Sequence, residues 1–186
     1  MARSGEDAVD PIGGGEVRGV ETSRDLRGDP KHLDVLGSDK CARMDVMRED
    51  VRGALVIDRD TPLEQRTIDI TTIGRRSGQP RRIEIVFYRF EDSIYLSGIP
   101  AARPRDWLTN LVAEPRFVVH LKHGVVADQP AVATVITDPE ERRRILTRFV
   151  EEFNERNGPD SEWPTAVLDE WVEGSPLARV DFPESD

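Results

Sequence analysis

Cysteine is nearly absent: Cys41 is the single example in 186 residues. No intramolecular disulfide is possible, and a cysteine-based metal site is excluded. Histidine is scarce too, with only His32, His120 and His123, so no metal is expected. His120 and His123 bracket Lys122 with no carboxylate at ligand spacing, which reads as a solvated strand end. Lysine is confined to Lys31, Lys40 and Lys122. No apolar run approaches the length of a membrane span, so stable membrane insertion is not expected. The stretch from Met1 to Ala8 lacks the apolar run of a secretory signal, and a cytoplasmic location is expected. Positive charge is in deficit: 26 Lys and Arg stand against 36 Asp and Glu, a formal net charge of −10. Nucleic acid and anionic membrane surfaces are therefore poor partners, because both require a basic face.

What is present fits one domain of ordinary size. Residues 1–42 hold Gly13, Gly14 and Gly15, scattered charge and no aromatic residue. They are expected to form a flexible or loosely docked extension. The triple glycine lacks the Lys and Ser/Thr that would make it a phosphate loop. Residues 43–186 are expected to form the folded domain. Met44 to Val51 can make a short helix ended by Gly53. Asp58 to Pro62 is rich in turn formers.

Stronger patterns begin at Arg66. Thr67 to Ile73 is β-branched and predicts a strand. Arg82 to Phe90 alternates, with Ile83, Ile85 and Phe87 on one face. Ile94 to Ile99 completes a three-stranded meander. Trp107 to Ala113 predicts a short helix, followed by strands over Phe117 to Leu121 and Ala131 to Thr137. A second helix starts at Asp138 as N-cap, with Pro139 at N1 and Glu141 at N3. Its buried stripe is Ile145, Leu146, Phe149, Val150 and Phe153. Glu140 to Arg144 reads as its wet face. A further short helix over Thr165 to Val172 and a closing strand over Leu177 to Phe182 follow. Trp163 and Trp171 read as anchors of this C-terminal segment. The early connections are too short for parallel crossovers. A mainly β, α+β fold results: a small antiparallel barrel with helices on its rim.

One segment carries chemistry. Gly74 to Arg82 reads G-R-R-S-G-Q-P-R-R, with four arginines in nine residues of an acidic chain. Gly74 and Gly78 allow positive φ, and successive N–H groups in such a turn can form an anion nest. Arginine forks suit phosphate or carboxylate. A hairpin tip paired with nearby acids is the competing reading.

The run Thr71-Thr72-Ile73-Gly74-Arg75-Arg76-Ser77-Gly78-Gln79-Pro80-Arg81 resembles the T-T-x-G-R-x-S-G-x-x-R signature of deazaflavin-dependent nitroreductases, also described as F-420-dependent quinone reductases. A second block, Arg105 to Leu111 with Ala113-Glu114-Pro115, is similar to that family's W-Y-x-N-L-x-x-x-P helix. The resemblance runs over roughly residues 66 to 150. It implies a split β-barrel of the kind that also binds flavin mononucleotide. It also implies hydride transfer between reduced deazaflavin coenzyme F-420 and a small-molecule substrate, a quinone, an enone or a nitro compound. By the same resemblance Arg75, Arg76, Ser77, Gln79 and Arg81 would hold the coenzyme's phosphate and acidic tail. Ser97, Trp107 and Asn110 would complete the cofactor site, and Ser97 and Tyr88 are the catalytic candidates. Glu84, Val86, Gly98 and Leu108 depart from the pattern on the acceptor side. Flavin mononucleotide or haem on the same barrel, or a non-catalytic carrier of lipid or another apolar ligand, are the alternatives. The chain is expected to be a monomer or a homodimer.

Overall fold

The computed structural model describes residues 47–58, 60–158 and 161–183. The expected extension over residues 1–42 lies outside them. Six strands form a closed barrel: β1 (Thr67–Ile73), β2 (Pro80–Phe90), β3 (Ser93–Ser97), β4 (Arg116–Leu121), β5 (Ala127–Val135) and β6 (Leu177–Asp181). They neighbour one another in the order β1-β2-β3-β6-β5-β4, and every pair is antiparallel. The expected meander is the β1-β2-β3 part of this ring. The pairings along β2 are unequal. All of β1 pairs with its first seven residues, Pro80 to Val86, whereas β3 pairs only with Phe87 to Phe90.

Alternation places Ile68, Ile70 and Thr72 of β1, and Ile85 and Phe87 of β2, on the inner side. With Leu96, Phe117, Val119, Leu121, Ala131 and Ala133 they fill the barrel. Helix α2 (Asp106–Ala113) packs on β1 and β5 at the end where β1 turns into β2, and inserts Trp107 and Leu111 into that core. Helix α1 (Glu49–Ala54) adds Val51 and Leu55 to it. This helix is displaced from its expected position. Met44 lies outside the described residues, and Gly53 sits within the helix rather than ending it. Contacts of Met47, Val51 and Leu55 with the barrel decide its register. A 3-10 turn over Leu63–Arg66 leads into β1 and had no counterpart in the sequence pattern.

A second core lies outside the barrel wall, under α3 (Pro139–Arg156). Ile145, Leu146, Phe149 and Val150 pack there with Tyr95, Trp171 and Leu177. The start of α3 is as expected: Asp138 Oδ1 accepts from the Glu141 N–H at 2.8 Å, and Pro139 occupies the first turn. Helix α4 (Leu168–Gly174) lies against α3, with Trp171 and Trp163 around Phe153. The wet face of α3 needs one correction. Arg142 turns inward and donates to the carbonyls of Ile136, Val172 and Ser175 at 2.8–3.0 Å. It ties the first turn of α3 to the segment before that helix and to the C-terminal end of α4.

Candidate functional site

The Gly74–Gln79 loop joins β1 to β2 beside α2. Its shape follows from its glycines. Gly78 has φ +66°, a region that a side chain rarely adopts. A Cβ on Gly74 would stand 2.7 Å from Ser77 Oγ and 3.2 Å from the Gln79 carbonyl. Gly74 N–H donates to the Gln79 carbonyl, and the N–H groups of Ser77 and Gly78 both donate to the Gly74 carbonyl. Gln79 N–H donates to Ser77 Oγ at 3.3 Å. Arg75 N–H is taken by Asn110 Oδ1 at 3.0 Å. The N–H groups of Gly74, Arg75, Ser77, Gly78 and Gln79 thus have acceptors, four within the loop and one on α2, and the expected backbone nest is not formed by these groups.

The four arginines divide into different roles. Arg75 donates to Asp106 and Thr109 of α2, so it docks the loop on that helix. Arg82 donates to Asp69 Oδ2 at 3.0 Å on the outer face of the barrel. Arg81 is the cross-strand partner of Thr72. Arg76 is exposed, and no hydrogen bond or ion pair engages its side chain among the described residues. Asn110 is buried and does double duty, donating from Nδ2 to Thr72 Oγ1 at 3.2 Å while it holds the Arg75 N–H.

The structure brings Arg75, Arg76, Ser77, Gln79, Arg81 and Asn110 together. Trp107 stands beside them as core, only 6% exposed. It does not bring Tyr88 to the loop. Tyr88 stacks on Phe149 at 4.4 Å under α3, eight residues along β2 from Pro80, or about 25 Å of strand. Burial there pushes its phenol up to about 12. Tyr95, the other tyrosine, meets the same ring. Ser97 is buried at the end of β3 and donates to the Pro176 carbonyl at 2.8 Å.

Two polar arrays beside the loop escaped the sequence reading. On the outer face of β1 and β2, Lys122, the residue after β4, donates from Nζ to Asp69 at 2.7 Å and to Glu84. Burial alone would raise the Asp69 carboxyl, but hydrogen bonds from Lys122 and Arg82 outweigh it and hold that carboxyl below the usual range. Glu84 is thus explained as a partner of Lys122. Next to this array, His120 is not a solvated strand end. It is buried, with Nε2 2.8 Å from Thr71 Oγ1 and Nδ1 2.5 Å from Asp128 Oδ1. Only the strand register reveals that contact: Asp69 and Asp128 are the direct neighbours of His120 on β1 and β5.

A cavity of about 530 Å³ lies at the far end of β2, lined by Arg66, Arg89, Phe90, Phe149 and Glu152 among others. Arg66 there pairs with Glu152, Arg89 with Asp92 and Arg148 with Glu151, so the arginines of that cavity are neutralised within the protein.

The sequence model of the family described as F420H(2)-dependent quinone reductase matches residues 48–167. The chain belongs to that family. Its members depend on reduced coenzyme F-420, so the protein is an F-420-dependent oxidoreductase. No curated protein matches the sequence. Among solved structures, a conserved hypothetical protein from Mycobacterium tuberculosis is similar with 21% identity and a TM-score of 0.49, over 78% of this chain and 86% of that one. The haem storage protein HutZ from Vibrio cholerae is similar with 15% identity and a TM-score of 0.47, over 75% and 92%. An F-420-dependent reductase is similar with 16% identity and a TM-score of 0.42, over 62% and 94%. For this family member the described residues include no helix long and apolar enough to cross a membrane. They include no cluster of three or more His, Cys, Asp or Glu able to hold a metal ion.

Proposed function

We propose that the Gly74–Arg81 loop holds the acidic tail of coenzyme F-420 and that the acceptor is a quinone or an activated enone. The coenzyme supplies a hydride when bound; the chain supplies binding, orientation and a proton. The observation that carries this reading is Arg76, a guanidinium without a partner among the described residues, on a loop whose shape is fixed from within. Ser77, Gln79 and Arg81 surround it in sequence, and this donor set fits a phosphate or carboxylate. A protein of net charge −10 repels an anionic ligand at long range. Affinity must come from a local positive group of this kind.

The preference for quinones rests on the missing phenols. Both tyrosines of the sequence pack on Phe149. Val86 and Leu108 are aliphatic where nitro-reducing relatives of the resembled family carry aromatic hydroxyls. Quinones and enones require only a hydride and one proton.

Deazaflavin fluorescence titration of wild type, Arg76→Ala, Arg81→Ala and Arg143→Ala at two salt levels tests the loop. A charge-assisted hydrogen bond contributes roughly 1.5–3 kcal/mol, so each loop variant should bind about 10- to 100-fold more weakly. Arg143, exposed and paired with Asp169, should leave affinity unchanged. Added salt should weaken wild type more than Arg76→Ala. Equal affinities for wild type and both loop variants would remove the assignment, as would a flavin or haem spectrum in protein purified from its host. Steady-state rates with reduced coenzyme test the acceptor, and faster turnover of nitroaromatics than of quinones would reverse the ranking.

A further inference from the structure

The geometry points to Thr72 and Asn110 as a buried positioning pair that sets where the Gly74–Gln79 loop stands, and through that placement its affinity for the acidic tail of coenzyme F-420. The inference rests on the reading given under Proposed function. The hydrogen bonds inside the loop fix its shape but not its place. Beyond the two strands that carry it, the loop is anchored through Arg75. Its N–H donates to Asn110 Oδ1 at 3.0 Å, and its side chain donates to Asp106 and Thr109. All three acceptors lie on α2.

The two anchors are unequal. The ion pair of Arg75 with Asp106 is open to water, with the Asp106 side chain 90% exposed, and a pair of that kind contributes little. The main-chain anchor is enclosed: Asn110 is 4% exposed and Thr72 is 1% exposed. Its orientation follows from hydrogen-bond chemistry. The Arg75 N–H accepts only an oxygen as partner, so the amide oxygen of Asn110 faces it and Nδ2 turns to Thr72 Oγ1 at 3.2 Å. The reversed amide would set two N–H donors against each other. Without the Thr72 hydroxyl, Nδ2 becomes a buried donor lacking an acceptor, a costly state that favours turning the amide away from Arg75. Helix α2 gives the pair a firm base. Trp107, Asn110 and Leu111 share one helical face, and Trp107 and Leu111 enter the barrel core. By resemblance Asn110 would touch the coenzyme. Its burial and its two engaged polar atoms argue instead that it acts through the loop.

Placement converts into affinity by population. A loop that leaves its place part of the time presents Arg76 for binding only in the remaining fraction, and the apparent affinity falls by that fraction. Linkage makes the effect reciprocal, so bound coenzyme restores an anchor that a variant has loosened. A side chain that merely supports the fold changes unfolding without this reciprocity. A side chain that touches the coenzyme changes affinity independently of Arg76. These differences separate the three roles.

Two measurements on the full chain decide this. In the protein without coenzyme, amide hydrogen exchange followed by NMR should show the Arg75 N–H protected. Its exchange should quicken about 10-fold in Thr72→Val and at least as much in Asn110→Ala, and Thr72→Ser should restore it. Amides of β4 and β5 should be unchanged. Fluorescence titration with coenzyme F-420 should show binding about 10-fold weaker in Asn110→Ala and about 3-fold weaker in Thr72→Val. Thr72→Ser and Asp106→Asn should bind as wild type does. Saturating coenzyme should slow Arg75 exchange in Thr72→Val toward the wild-type rate. The losses of Asn110→Ala and Arg76→Ala should combine to less than their product. Wild-type exchange at Arg75 in both Thr72→Val and Asn110→Ala overturns the pair. So does a full product of losses in the double variant, which would make Asn110 a direct contact. Thr72→Val keeps the test open if Asn110→Ala does not fold. Equal coenzyme affinity in wild type and Arg76→Ala would instead overturn the loop assignment, and the exchange rates would still decide whether the pair places the loop.

Discussion

Arg142 stands between Glu141 and Arg143 in a charged run, yet its guanidinium faces main chain. Four donations reach the carbonyls of Ile136, Val172 and Ser175. Replacement by alanine leaves those acceptors without donors and should cost about 2–4 kcal/mol in urea unfolding. Arg142→Lys should recover only part, because one ammonium cannot span three carbonyls. Tyr88 gives a second outcome at this scale. Its phenol is pushed up to about 12 in the fold, against about 10 in an unfolded chain. The native state therefore holds its proton more tightly between these values. The associated stability is fully present below pH 10 and is lost as pH rises toward 12, by about 2 kcal/mol. Urea midpoints at pH 9 and 11 should fall further for wild type than for Tyr88→Phe. An identical fall in both would show that the phenol is not the group titrating.

Among elements, the join between the 3-10 turn and α3 is electrostatic. Arg66 is 3% exposed and is held by Glu152 and by the Asp58 carbonyl, while its Nε has no partner. A buried pair is costly to break but can be replaced by apolar side chains. Glu152→Gln should destabilise the protein by about 3 kcal/mol, and Arg66→Met with Glu152→Leu should destabilise it less than Glu152→Gln alone. Calorimetry of the three chains checks this order. Elements with a local signal were legible in the sequence. Thr67–Ile73 is β-branched at every position but Asp69, and α3 announces itself through Asp138, Pro139 and an apolar stripe. Helix α1 was misplaced because packing on the barrel, not Gly53, sets its ends. The break between β1 and β2 at Gly74 was legible from its glycines, but not the division of the loop's arginines, since Asp106 and Asp69 reach them from other elements. His120 was misread for the same reason: Thr71 lies 49 residues away and becomes a neighbour only through the β1–β4 register.

For the whole molecule, the family match starts at residue 48, α1 starts at Glu49, and Val51 enters the barrel core. Deleting residues 1–42 should leave a single cooperative thermal transition, and its loss would assign that segment to the core. The uneven pairing of β2 has a consequence for the molecule in company. Beyond the pairing with β3, the strand from Pro80 to Val86 turns one edge of its peptide groups toward no other strand, and no loop backbone bond reaches it among the described residues. Such an edge is adhesive, a place where another extended chain can zip on and begin an aggregate. The chain places Pro80, Arg81, Arg82 and Glu84 along it. Proline supplies no N–H to a neighbouring strand, and the adjacent arginines put charge on the edge. The proline and the arginines at one end of this strand thus also keep its open side from recruiting a neighbour.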